Sequence, residues 1–199
     1  ATPDITLLSA SISENADTAP LAISALAADV ASIIKILTSN GLTSSNYQSS
    51  SFNINPNTSY ANGVSEVVGQ IASESFQITV PNANGVNLGK LIDALASVNG
   101  IVLNGLTFDI ANKTSVYQQA RKQAFQNAQT KAKDYGAALN LTVGSLLNVI
   151  DSFSAPAVYQ PRREVMYSTS AMKQISTDTQ VNVGTISISY NVQSVYALN

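Results

Sequence analysis

Four alanines set four residues apart, Ala120, Ala124, Ala128 and Ala132, constrain this chain more than any other feature. At about 100° of rotation per residue they drift only slowly around one side of a helix. Ser115 to Leu139 therefore reads as the longest helix of the chain. Val116, Tyr117, Tyr135 and Leu139 share the alanine side, whereas Gln118, Lys122, Gln123, Gln126, Gln129, Thr130 and Lys133 fall opposite, so one face is apolar and the other wet. Alanine in place of leucine lets a helix axis approach whatever it covers. Close packing on a sheet built by the other segments is expected, with Ala124 and Ala128 intolerant of Leu.

The rest of the chain supplies that sheet. Asp4 to Ser13 mixes β-branched and small residues and reads as a strand. Asp17 and Thr18 then offer an N-cap, Pro20 suits a first turn, and Leu26, Val30, Ile33, Ile34 and Leu37 recur at helical spacing up to a stop at Asn40-Gly41. Tyr47 to Ile54 predicts a strand interrupted at Asn55-Pro56, and Val64 to Val80 a long alternating strand bulged near Gly69. Asn84 to Val98 carries Leu88, Leu91, Ile92, Leu95 and Val98 at helical spacing, closed by Asn99-Gly100. Ile101 to Ile110 is a strand before the main helix, and Asn140 sits where a positive φ is commonly needed. Val143 to Asp151 is a strand, and Thr177 to Leu198 a long alternating stretch in which Ile186, Ile188, Tyr190 and Val192 form one set.

Composition narrows the chemistry. Of 199 residues, 45% are hydrophobic and only 11% charged, and Asn, Ser and Thr fill the place of the missing charge. The chain has no Cys and no His, which removes thiol nucleophiles, disulfides, Ser-His-Asp chemistry and the usual zinc ligand sets. No catalytic residue, cofactor or metal site is expected, and the scattered carboxylates form no closely spaced acidic pair. A net charge of −2 gives no general attraction to nucleic acid. No run approaches 18 consecutive apolar residues, so no transmembrane segment is expected. Ala1-Thr2-Pro3-Asp4 directly before a strand is how a mature protein begins after a signal peptide is removed. Three Asn-x-Ser/Thr sequons, at Asn57, Asn112 and Asn140, are no more than chance supplies.

Several residues stand out as binding candidates. Gly85 to Lys90 has the wrong spacing for a phosphate loop and reads as a helix start. Between Asn112 and Tyr135, Lys113, Arg121, Lys122, Lys131 and Lys133 stand against Asp134, a local +4 that leaves −6 for the rest of a chain of net −2. That cluster is either a solvated face or a site for an anionic polymer. Arg121 and Lys131 fall inside the apolar arc, where buried stems with paired heads or a contact between subunits would explain them. The 152–176 segment is longer than an ordinary connection and holds Tyr159, Arg162, Arg163 and Tyr167, residue types that dominate interfaces. Self-association, or a ligand, is the expectation there. The abundance of Tyr and Asn also suits carbohydrate, since rings stack on sugars and amides bond hydroxyls.

Taken together, Pro3-Asp4, the run Leu88-Gly89-Lys90-Leu91-Ile92-Asp93-Ala94 with Gly100 behind it, and Ala120-Arg121, Ala124, Ala128, Lys131-Ala132, Leu139 and Gly144 resemble the SIMPL domain family. The last set matches the family's "AR..A...A..KA..LA..LG..LG" run, and Val183-Gly184 leads the final strand as in the family. Gly136 and Asn140 depart from the usual Ala and Gly, and Val68-Gly69-Gln70 replaces a Gly-Tyr pair. The resemblance implies a secreted, periplasmic or cell-surface protein, some of whose relatives assemble into rings, and it brings no catalytic residues. Any role in oxidative-stress defence would be indirect, because only Met166 and Met172 offer oxidisable sulfur.

The expected architecture is α+β, in the order β-α-β-β-α-β followed by a long helix and two strands, with a mostly antiparallel sheet and helices on one face. Residues 1–199 are read as a single SIMPL-like domain, with a 1–111 βαββαβ half and a 112–199 half. The expected function is non-enzymatic and extracytoplasmic, by self-assembly as a homo-oligomer or by binding. A carbohydrate-binding or surface-adhesion module is the alternative.

Overall fold

The computed structural model describes residues 1–61, 63–82, 86–153, 179, 181 and 183–199. The chain is α+β and divides into two compact units, one formed by residues 4–109 with the described part of 164–183, the other by residues 1–3, 110–153 and 184–199.

The first unit runs β1 (Ile5–Ala16), α1 (Ala19–Ser39), β2 (Tyr47–Ala61), β3 (Val64–Pro81), α2 (Leu88–Ala96) and β4 (Ile101–Asp109). Its strands form one antiparallel sheet in the order β2-β3-β1-β4. Alternation along β1 buries Thr6, Leu8, Ala10 and Ile12, and the register sets Leu8 opposite Ile78 and Thr6 opposite Val80. Ala22, Leu26, Ile33 and Leu37 of α1 and Leu91 and Leu95 of α2 close over this face to make the core. Burying side chains of that size contributes about 1.5–3 kcal/mol each before entropy is set against it. The opposite face of the sheet carries Ser9, Ser11, Ser73, Ser75, Gln77 and Asn53. A solvated face built of hydroxyls and amides is where much of the chain's missing charge is accounted for.

Several element boundaries differ from the sequence reading, each for a local reason. β2 does not break at Asn55-Pro56 but continues to Ala61, with Pro56 opposite Gln70. It is an edge strand, where proline can stand at a position whose N–H would face outward. The bulge expected in β3 is present, since Gly69 pairs with Asn57 while Val67 pairs with Thr58, leaving Val68 extra. α2 begins only at Leu88, because Asn87 caps it by accepting the Lys90 N–H at 3.1 Å. At the start of α1 Thr18 gives no side-chain cap, and at its far end Gly41 at φ 82 and the Leu42 N–H bonded to Leu37 O at 3.0 Å close the helix. α1 is also long and apolar enough, by length and composition, to cross a membrane, although Asp29 and Lys35 break its apolar run. Its buried stripe lies against the sheet.

The chain returns to this unit at Thr179, which is held against α2. Asp93 accepts both the Thr179 hydroxyl, at 2.5 Å, and the Thr179 N–H, at 3.1 Å. Those two donors hold the Asp93 carboxyl below its ordinary pKa, the hydroxyl contributing more. Gly89 makes the approach feasible, since a Cβ there would stand 2.1 Å from Thr179 O.

The second unit contains α3 (Lys113–Ala138) and the antiparallel pair β5 (Val143–Phe153) and β6 (Tyr190–Leu198). α3 ends where expected: Asn140 has φ 56 and Leu141 N–H bonds Gly136 O at 2.9 Å. The turn brings Leu141 O to within 2.9 Å of where a Cβ on Gly136 would be, which accounts for glycine at that place in the helix. Of the alternating stretch expected from Thr177 to Leu198, the described residues form a strand only from Tyr190. Tyr190 pairs with Phe153, the last residue of β5, and among the described residues the ladder ends there.

Candidate functional site

α3 packs mainly on β6 and less on β5, and this is where the alanine face lies. Val116, Ala120, Ala124, Ala128 and Ala132 form a half-buried stripe ending in the buried Gly136, whereas Tyr135 and Leu139, assigned to the same side from the sequence, are exposed. On β6 the alternation turns Tyr190, Val192, Ser194 and Tyr196 to one face, the more buried one. The expectation of close packing is corrected here. A two-stranded ribbon is too narrow to wrap a helix, and where Ala124, Ala128 and Ala132 meet Val192 and Ser194, short side chains leave a gap. The result is a groove of about 560 Å³ between α3 and β6.

Among the described residues its lining combines Tyr135, Tyr190 and Tyr196 with Asn127 of α3, Asn191 and Gln193 of β6, and one cation, Lys131. Among the described residues no carboxylate lines it. Lys131 is exposed, not buried by its stem, and meets no carboxylate among the described residues. Ser194 Oγ is buried without a hydrogen-bond partner among the described residues.

Arg121, the other cation of the apolar arc, is 57% exposed at its side chain and is engaged through its Nε. Its Nε donates to Tyr190 Oη at 2.8 Å and stands 3.6 Å from Asp151 Oδ2, and its guanidinium carbon lies 5.3 Å from the centre of the Tyr190 ring. Tyr190 Oη in turn donates to Asp151 Oδ2 at 2.5 Å. The phenol is thus polarised by a donor on one side and an acceptor on the other, and it ties α3 to both strands. The paired head expected of Arg121 is found, but the buried stem is not. Tyr159, Arg162, Arg163 and Tyr167 lie outside the described residues, as does Gly85 of the discarded phosphate loop.

A second exposed feature belongs to the first unit. β1 stops pairing with β3 at Ala16 opposite Gln70, yet β2 and β3 continue pairing with each other to Ala61 opposite Val64. This two-stranded arm carries Tyr60, 76% exposed, and Val67, 62% exposed, on one face, and its bulge brings Val68 out as well. No residue of the sequence reading marked it, although Tyr60, Val64 and Val67 around Asn62-Gly63 are an apolar hairpin end visible in the sequence.

The chain is therefore an α+β protein with an open helix-strand groove in one unit and an apolar hairpin arm in the other. The family model described as "SIMPL: Protein of unknown function (DUF541)" matches residues 1–196, and the chain belongs to that family. It is similar to the 26 kDa periplasmic immunogenic protein of Brucella melitensis biotype 1, with 27% identity over 195 residues, 96% of this chain and 77% of the relative. The protein of the same name from Brucella abortus strain S19 is 26% identical over the same shares.

Proposed function

We propose that this SIMPL protein works outside the cytoplasm, has no catalytic activity, and acts by self-association, copies meeting through the β2–β3 arm. The periplasmic relatives support the location. The lack of His and Cys in the sequence supports a non-catalytic role by removing the commonest nucleophiles and bases. The observation that carries the reading is the arm itself. Tyr60, Val64, Val67 and Val68 stand open on a ribbon that, among the described residues, pairs with no third strand beyond Gln70, an arrangement costly to leave in water and suited to a second copy. Tyrosine at its centre is the residue type that anchors interfaces.

Light scattering over a concentration series tests this. The wild type is expected to show a multiple of the single-chain mass, and Tyr60→Ser with Val67→Thr to return it to one chain without lowering the thermal midpoint. A wild-type mass of one chain at about 100 μM, where even weak specific association is populated, would refute self-association.

A further inference from the structure

We propose that the groove between α3 and β6 is a binding site for an acidic saccharide, a pyranose carrying a carboxylate. The inference goes beyond self-association and rests on other residues, so either can fail without the other. The groove volume of about 560 Å³ falls within the roughly 300–1,000 Å³ typical of small-molecule sites. It exists because α3 contributes alanine and β6 contributes Val192 and Ser194, so among the described residues no side chain fills it.

The lining chemistry selects the ligand. Tyr135 is 71% exposed and offers a ring face, and Tyr196 a second one, against which the C–H side of a sugar ring can lie. The Asn127 amide carries both donor hydrogens and an acceptor oxygen, as a vicinal diol requires. Lys131 is the lone charge of the lining and has no carboxylate partner among the described residues, so a neutral sugar would leave it without a counter-charge while a carboxylate would meet it. A phosphate is a poorer match: the guanidinium that would grip it with two parallel bonds belongs to Arg121, which is not among the lining residues.

Titration of the full chain with trigalacturonate and with its neutral methyl ester, followed by calorimetry, tests the assignment. The acid is expected to bind and the ester to bind at least about tenfold more weakly, the loss that one charge-assisted hydrogen bond represents. Lys131→Gln should weaken the acid to the level of the ester, while Lys133→Gln, on the wet face of the same helix, should leave it unchanged. Both lysines are exposed, so neither substitution threatens folding. Ala128→Leu, which fills the groove, should abolish binding with the melting transition retained. Equal binding of acid and ester, indifference to Lys131→Gln, binding of a glutamate-rich peptide in place of the saccharide, or no heat up to about 10 mM ligand would each overturn the proposal.

Discussion

Ser194 illustrates how a single atom can separate packing from function. Its Oγ is buried with no partner among the described residues, and an unsatisfied buried hydroxyl costs free energy without return. Ser194→Ala is therefore expected to leave stability unchanged or raise it by about 1 kcal/mol, read from urea melts; a loss of that size would show that the hydroxyl is bonded in solution. Glu14 gives a pH dependence. Burial first, then a hydrogen bond with Asp29 of α1 and repulsion from it, raise the Glu14 carboxyl above its ordinary pKa. With the folded value above the unfolded one, the folded chain binds the extra proton. Its contribution is fully present below the ordinary glutamate pKa and is lost as pH rises through the raised value. The thermal midpoint should fall over that window in the wild type and stay flatter in Glu14→Gln; identical profiles would contradict the pairing. None of this was legible in the sequence, where Glu14 and Asp29 are unremarkable members of a strand and a helix. The Arg121–Tyr190 contact, 69 residues apart in the chain, was equally hidden, although alternation had already set Tyr190 on one face with Val192.

Elements were far more legible, because periodicity is a local property and survives without knowledge of partners. The helix at 113–138, its stop at Asn140 and the order of strands around it follow from spacing alone. Errors gathered where a neighbour decides the outcome. Proline at position 56 is tolerated because β2 lies at the sheet edge, and α2 starts late because Asn87 happens to cap it. The depth of the alanine face also depended on sheet width, which no helical period reports. Gly69 is a case in which the sequence hinted at a bulge and the fold supplies the reason. A Cβ there would stand 2.8 Å from Ala16 O and 3.0 Å from Asn15 Oδ1, so Gly69→Ala must push β3 off the end of β1. A cost of about 1–3 kcal/mol is expected, as for other overpacked sites. Equal urea midpoints for Gly69→Ala and wild type would show that the strand end yields freely.

For the whole molecule, two surfaces compete to carry the proposed self-association: the β2–β3 arm and the 152–176 segment. The second rests on sequence, since Tyr159 beside Arg162 and Arg163, with Val165, Met166, Tyr167 and Met172, combines aromatic anchors, guanidinium and apolar bulk as binding hot spots do. Its competing role is to cover the edge of its own sheet. Each account makes a different pair of measurements move. Replacing residues 156–172 with a Gly-Ser linker of equal length removes the anchors and adds flexible chain at small further entropic cost. If the segment joins copies, the mass by light scattering falls while the thermal midpoint of the remaining fold holds. If it covers an edge, the midpoint falls and the mass holds. The arm variants Tyr60→Ser and Val67→Thr, measured in parallel, supply the reference. We expect them to lower the mass and the linker variant to lower the midpoint alone, because the arm is where open apolar side chains are seen on a paired ribbon. A linker variant that dissociates while the arm variants remain assembled would reverse that assignment and place the interface in 152–176.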